Sequence, residues 1–379
     1  MRNSFSRENS KRLKKYFTPF NPIIGYPFDP DRFLFNVHGI RKTYLPSSMK
    51  NLPLIRELIK RKSLSSFIRS MYFKNNFHSA SQVFLNLDAI RLRYDFPFWI
   101  SKTYDPDFSF NGFQTLVMKL QKLRSSISPL NVIIRKNEDQ DIHTIIFLFI
   151  IWCKYFGLSH TNVLTVTPSK ADTKKFRSFL LDWKESGNSK EGNFLKTDFV
   201  NSIFHPYSES KFWFVPYHSP LNCRGLDYTI LYLSDMGKWK NPDKSSNDNI
   251  ICAAFPVVNC SQDNMIILDA GPHKRNSLFA KEFRDAVKNQ THFRIIRIPW
   301  FDDRERFYRF DFPEDQTKFF NNLVKYRKRR TFPHYPIVSG KQLYELWIKG
   351  LPLEAIHWYA AESSFFKTRN RFFNCFPPI

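Results

Sequence analysis

The chain has 379 residues, 42% of them hydrophobic, enough for one large or two modest folded domains, which excludes a disordered chain. Its 58 lysines and arginines outnumber 34 aspartates and glutamates, giving a net charge of +24 that points to an anionic partner, nucleic acid first, or else to a solvated basic surface set by biased composition. The five cysteines are scattered, with no CxxC pair and no Cys/His cluster, so a zinc site and a disulfide framework are not expected and a reducing cytoplasm is.

Residues 1–80 form a basic, proline-broken extension, and its first fifteen or so residues are expected to lack fixed structure. It has no apolar core of the kind a signal peptide needs. Leu54–Tyr72 carries apolar positions at helical spacing with basic residues between them. That predicts one amphipathic helix, whose basic face is either a phosphate contact or a solvated surface.

From Asp105 the pattern becomes αβ. Phe113 and Gln114 stand at the entry of a helix, and Asn131–Ile134 reads as a short buried strand. A polar loop, Arg135–Asp141, follows, and then a strongly apolar helix from Ile142. The apolar run Ile145–Cys153 is too short to span a bilayer and predicts a buried helix. Strand, loop and helix in that order is the layout of a phosphate-cradling nucleotide site. The loop has no glycine, however, and carries Glu138, Asp139 and Asp141. His143, one turn into the apolar helix, reads as a packed core histidine.

Val163–Val166 is a β-branched strand, followed by a Thr-Pro-Ser turn and a capped helix from about Lys170. Thr229–Leu233 is another buried strand, ending on Ser234 and Asp235. Met265–Leu268 and Phe293–Ile298 are two more, the last leading into Pro299 and Trp300. Strands alternating with helices imply a parallel sheet with right-handed crossovers. The tail is helical, and Lys325–Arg330 (KYRKRR) is the densest basic cluster, either a nucleic-acid contact or a solvated face. The predicted fold class is α/β, a mainly parallel sheet with helices on both faces. Residues 81–310 would form its core and residues 311–379 a small helical C-terminal lid.

From about Ser79 onward the order of motifs resembles the N-terminal ATPase domain of the large subunit of tailed-phage terminases. The carrying residues are Phe113-Gln114 ahead of the nucleotide site, Arg135 opening the loop, and the helix IIFLFIIWCKYF. They continue with Arg224-Gly225, the strand YTILYLSDMGKW with Asp235 in the place of a catalytic carboxylate, IILDAGPHKRNSLFAKEF, IRIPWFDD and GLPLEAIHWYAAE. The resemblance implies a P-loop NTPase-like fold, ATP and Mg²⁺ as cofactors, and double-stranded DNA, a portal and a small terminase subunit as partners, in the cytoplasm of a bacterial host. It implies that Gln114, Arg135 and Lys136 contact nucleotide, that Asp235 orients the attacking water and holds Mg²⁺, and that Arg224 stabilises the transferring phosphoryl group.

The chain departs from the family in two ways. It is expected to lack the C-terminal nuclease domain, and its phosphate loop is degenerate. Glu138 stands for glycine, Asp139 for lysine or its apolar substitute, and Gln140-Asp141 for the hydroxyl pair, so Lys136, or a lysine from elsewhere in the chain, would have to offset carboxylates that repel a triphosphate. The expected function is that of a packaging motor subunit with its ATPase lost or strongly reduced. An active divergent ATPase and a basic nucleic-acid-binding protein without motor ancestry are the alternatives.

Overall fold

In this computed structural model the described residues are 2–17, 32–40, 43–73, 92–104, 113–124, 130–137, 142–157, 162–185, 196–199, 202–205, 210–218, 228–239, 264–273 and 277–377. Helix α1 (Arg2–Phe17) comes first, followed by the antiparallel pair β1 (Arg32–Phe35) and β2 (Thr43–Pro46). Helices α2 (Pro53–Arg61) and α3 (Leu64–Phe73) pack on that pair around Phe35, Leu45, Ile55 and Leu58. The single helix expected over 54–72 is therefore two. Lys62 adopts φ 58°, and the Lys62 carbonyl and Leu64 amide bond instead to the His38 backbone. A stretch with helical periodicity still breaks when a tertiary backbone partner outcompetes one turn of helix.

The sheet is built from β3 (Leu130–Arg135), β4 (Val163–Thr167), β5 (Lys196–Phe199), β6 (Ser202–His205), β7 (Ser210–Pro216), β8 (Ile230–Leu233), β9 (Met265–Ala270) and β10 (Arg294–Arg297). Their spatial order is β10-β3-β9-β8-β4-β7-β6-β5. The pairs from β10 through β7 are all parallel, and β6 and β5 add an antiparallel margin. This is the predicted α/β class.

Between the strands run α4 (Phe96–Thr103), α5 (Gln114–Arg124), α6 (His143–Gly157), α7 (Lys170–Glu185) and α8 (Leu278–Val287). Strand alternation sends Val132, Ile134, Tyr232 and Ile267 to one face, under α4, α5, α6 and α7. Ile133, Leu231, Leu233 and Leu268 go to the other, under α8. Both faces are covered, which explains why these strands read as continuous apolar runs rather than alternating ones. Over Ile145–Cys153 helix α6 is apolar on every side because it is buried on every side.

A separate helical core follows the sheet, from α9 (Pro313–Lys325), α10 (Gly340–Ile348), α11 (Leu353–Ser363) and α12 (Arg369–Cys375). Trp300 and Phe307 belong to it, whereas Ile298, two residues earlier, belongs to the sheet core.

Helix α1 corrects the expectation that the first residues lack fixed structure. Phe5 stacks on Phe320 with centroids 4.4 Å apart, and the Arg12 guanidinium lies 3.7 Å over the Trp347 ring. Asn9 accepts from the Leu353 amide at 2.7 Å and donates to both oxygens of the buried Glu354, at 2.9 and 3.1 Å. Gln316 donates to the same carboxylate at 2.8 Å. A single polar residue thus caps α11 and holds a buried charge. The partners lie more than three hundred residues away (Asn9 and Glu354 are separated by 345), so nothing local announces the helix.

Candidate functional site

Four segments meet at the carboxyl edge of the sheet, where β3 lies beside β9 and β8 lies one strand further. That edge is where α/β sheets place their ligand sites. Lys136 leaves β3, its amide bonded to the Ala270 carbonyl at 3.0 Å. Its ammonium reaches across β9 to Asp235 Oδ1 at 2.5 Å and Asp269 Oδ1 at 3.3 Å. All three side chains are buried, at 6%, 8% and 0% exposure.

Asp235 follows β8 in the left-handed region, φ 48°, a conformation aspartate tolerates better than most residues. The turn behind it is fixed by the Trp239 indole donating to the Ser234 carbonyl at 3.0 Å. Gly237 lies so close beneath Pro272 that a Cβ would stand 2.7 Å from its carbonyl oxygen.

The other Asp235 oxygen, Oδ2, faces His143 Nε2 at 3.3 Å and accepts from the exposed Lys238 at 3.0 Å. His143 Nδ1 lies 2.6 Å from the Tyr232 hydroxyl, which donates to Asp269 Oδ2 at 2.7 Å. The hydroxyl has one hydrogen and commits it to Asp269. The result is a closed ring, Lys136–Asp235–His143–Tyr232–Asp269. Burial alone would raise the Asp235 carboxyl; the His143 hydrogen bond and the Lys136 charge outweigh it and hold the group well below the carboxylate range. Burial likewise opposes the charge on Lys136, yet Asp269 and Asp235 raise its pKa overall. Burial, then the Asp269 charge, pushes Tyr232 well above the usual phenol value.

Of the residues expected to act here, Lys136 and Asp235 are brought together. Arg135 is the last residue of β3, and its guanidinium lies 5.9 Å from the Phe283 ring of α8, with Arg297 over the same ring at 5.3 Å. Gln114 is the first residue of α5. Arg224 and the acidic loop Glu138–Asp141 lie outside the described residues. His143 is buried and rests against Phe176, as expected of a core histidine, and is also a member of the ring. Asp269 and Tyr232 were not singled out from the sequence. A carboxylate inside the apolar run MIILDA was the available signal for Asp269.

No cluster of three or more His, Cys, Asp or Glu side chains suited to a metal occurs among the described residues. A Mg²⁺–nucleotide needs an ammonium free for the β/γ-phosphates and a carboxylate oxygen free for metal or water. Lys136 is spent on two carboxylates, and both Asp235 oxygens are occupied by side chains. The described residues do not fit that ligand.

Beside this edge, Asp302 accepts from the Thr115 amide at 3.1 Å, at the start of α5. Burial pushes its carboxyl up to about 6, against the Thr115 hydrogen bonds and the Lys119 charge. A carboxyl raised on folding binds its proton more tightly when folded, so it favours the folded state at low pH and opposes it as pH rises toward 6 and beyond. Asp302→Asn is therefore expected to raise the melting temperature at pH 7–8, and to reduce the fall in stability between pH 4 and 6. Melting curves across that range check this, and an unchanged pH profile would contradict it.

No protein-family model matches the chain, and no curated protein matches it. In structure it is similar to the large terminase of a thermophilic bacteriophage, with TM-score 0.40 and 11% identity over 53% of this chain and 51% of that one. It is similar to the large terminase of bacteriophage HK97, with TM-score 0.41 and 11% identity over 55% of this chain and 46% of that one. It is also similar to the large terminase ATPase domain of Thermus phage P74-26, with TM-score 0.35 and 11% identity over 54% of this chain and 86% of that domain. The match thus spans about half the length of the first two of these terminases. No helix among the described residues is long and apolar enough to cross a membrane.

Proposed function

We propose that this chain is a terminase large-subunit-like DNA-packaging motor protein whose ATPase activity is lost or strongly reduced. Two lines support the motor ancestry: the ordered series of motifs from Phe113 to the helix GLPLEAIHWYAAE, and a parallel sheet that delivers Lys136 and Asp235 to one point of its carboxyl edge. The observation that carries the loss of activity is the ring itself. Lys136, the substitute ammonium for phosphate, is neutralised inside the protein by Asp235 and Asp269, and the acidic residues Glu138, Asp139 and Asp141 follow it in sequence.

In this reading the carboxyl edge is a structural lock, and the motor's remaining work is to hold its partners. Double-stranded DNA is the partner the charge of +24 favours. A portal and a small terminase subunit are the protein partners that go with it.

Calorimetric titration with Mg²⁺–ATP tests the reading, and no saturable binding is expected below the millimolar range. Micromolar affinity, or Mg²⁺-dependent turnover abolished by Asp235→Asn, would establish the active, divergent ATPase instead. One observation favours that rival: Lys136 and Asp235 do meet where such a site would stand.

A further inference from the structure

We infer that the turn joining α9 to α10 is a preformed seat for the phosphate backbone of duplex nucleic acid, an inference that rests on the DNA partner proposed above. Lys325, Arg327, Lys328, Arg329 and Arg330 fall within six consecutive positions, and all five side chains are exposed. None of them forms an ion pair with a carboxylate among the described residues. The acidic residues of α9, Glu314 and Asp315, stand at its opposite end, roughly 15 Å away at 1.5 Å per residue.

The backbone that carries these cations is tied within the turn and to the start of α10. The Arg329 amide bonds to the Tyr326 carbonyl at 2.8 Å, and the Lys341 amide to the Arg329 carbonyl at 3.3 Å. Gly340 is pressed so close that a Cβ there would stand 2.1 Å from the Tyr326 oxygen, which fixes the start of α10 against the turn. Beyond the cluster, Phe332 is buried and stacks on Tyr335 with centroids 6.1 Å apart.

Like charges on neighbouring residues repel one another where they approach within a Debye length, about 8 Å at physiological salt. The negative end of the α9 dipole offsets one or two of them at most, at about 0.3–1 kcal/mol each. A rigid turn that gathers cations without counter-charges is suited to a polyanion, because its ordering cost is already met before binding. Arginine supplies three of the five, and its planar fork matches phosphate oxygens in pairs. The large apolar side chains beside the cluster point inward, as Phe332 does, so the turn offers little to insert into a lipid surface.

The test uses the full chain and a fluorescent DNA duplex of random sequence, with anisotropy measured from low to physiological salt. One variant carries Arg327→Gln, Lys328→Gln, Arg329→Gln and Arg330→Gln. A control removes the same charge from scattered exposed positions, Lys60→Gln, Lys281→Gln, Lys288→Gln and Arg309→Gln. The turn variant is expected to bind at least about ten-fold more weakly and to lose about three units of the salt slope, since each phosphate contact contributes about 0.9. The control should change affinity less than about three-fold. Equal losses in both variants, with unaltered melting curves, would overturn the seat and leave DNA as the partner. Failure of the unaltered chain to bind duplex in a salt-dependent way would overturn the proposed DNA partner as well.

Discussion

Replacing Lys136 with methionine is expected to lower stability by about 3–5 kcal/mol, because it leaves two buried carboxylates facing each other without a cation. The triple variant that adds Asp235→Asn and Asp269→Asn should recover most of that loss, since the charges and the need for them disappear together. Urea denaturation of the three proteins at neutral pH measures this directly. A loss under about 1 kcal/mol would mean that the Lys136 ammonium behaves as an exposed group. It would then be available to a phosphate, and the lock would be no lock. The size of the effect comes from burial: Asp269 is 0% exposed, and its Oδ1 has only the ammonium for company among the described residues.

Trp300→Ala is expected to cost about 3–5 kcal/mol and to act unevenly across the molecule. The indole is 1% exposed and stacks on Tyr359 at 4.7 Å and on Trp358 at 5.3 Å. It is the first large side chain the strand-bearing core passes to the helical one, two residues after Ile298. Truncation should therefore loosen the helical core first. Hydrogen exchange followed by mass spectrometry should show faster exchange in residues 313–375, with β3, β8 and β9 still protected. Uniform acceleration through both cores would refute this view of the junction.

The parts of the fold that were legible in the sequence are those with local causes. Buried parallel strands announce themselves as short apolar runs, and Asn131–Ile134, Val163–Val166, Thr229–Leu233, Met265–Leu268 and Phe293–Ile298 all correspond to strands, within a residue or two. The helix after Ile142 was as plain. The break at Lys62 and the order in α1 were not legible, because each depends on a partner distant in the chain: the His38 backbone in one case, Trp347, Leu353 and Glu354 in the other.

The candidate site divides in the same way. Asp235 and Lys136 could be picked out singly, one as an acidic residue ending a strand and the other as a cation in a loop. That they neutralise one another could not, because their contact is set by strand order and spans β9. Asp269 was hidden for the opposite reason: surrounded by apolar residues, it looks like an irregularity in a strand until Lys136 and Tyr232 are seen on its two oxygens.

The docking of α1 also has a consequence for synthesis. Phe5, Asn9 and Arg12 are made more than three hundred residues before Phe320, Trp347 and Glu354, which all follow the last strand of the sheet in sequence. Until then Phe5 has no ring to stack on, and the α11 amide and carboxylate that Asn9 serves do not exist. Contacts of such long sequence separation close slowly. The helical core is therefore closed late, by a helix made long before the partners it binds.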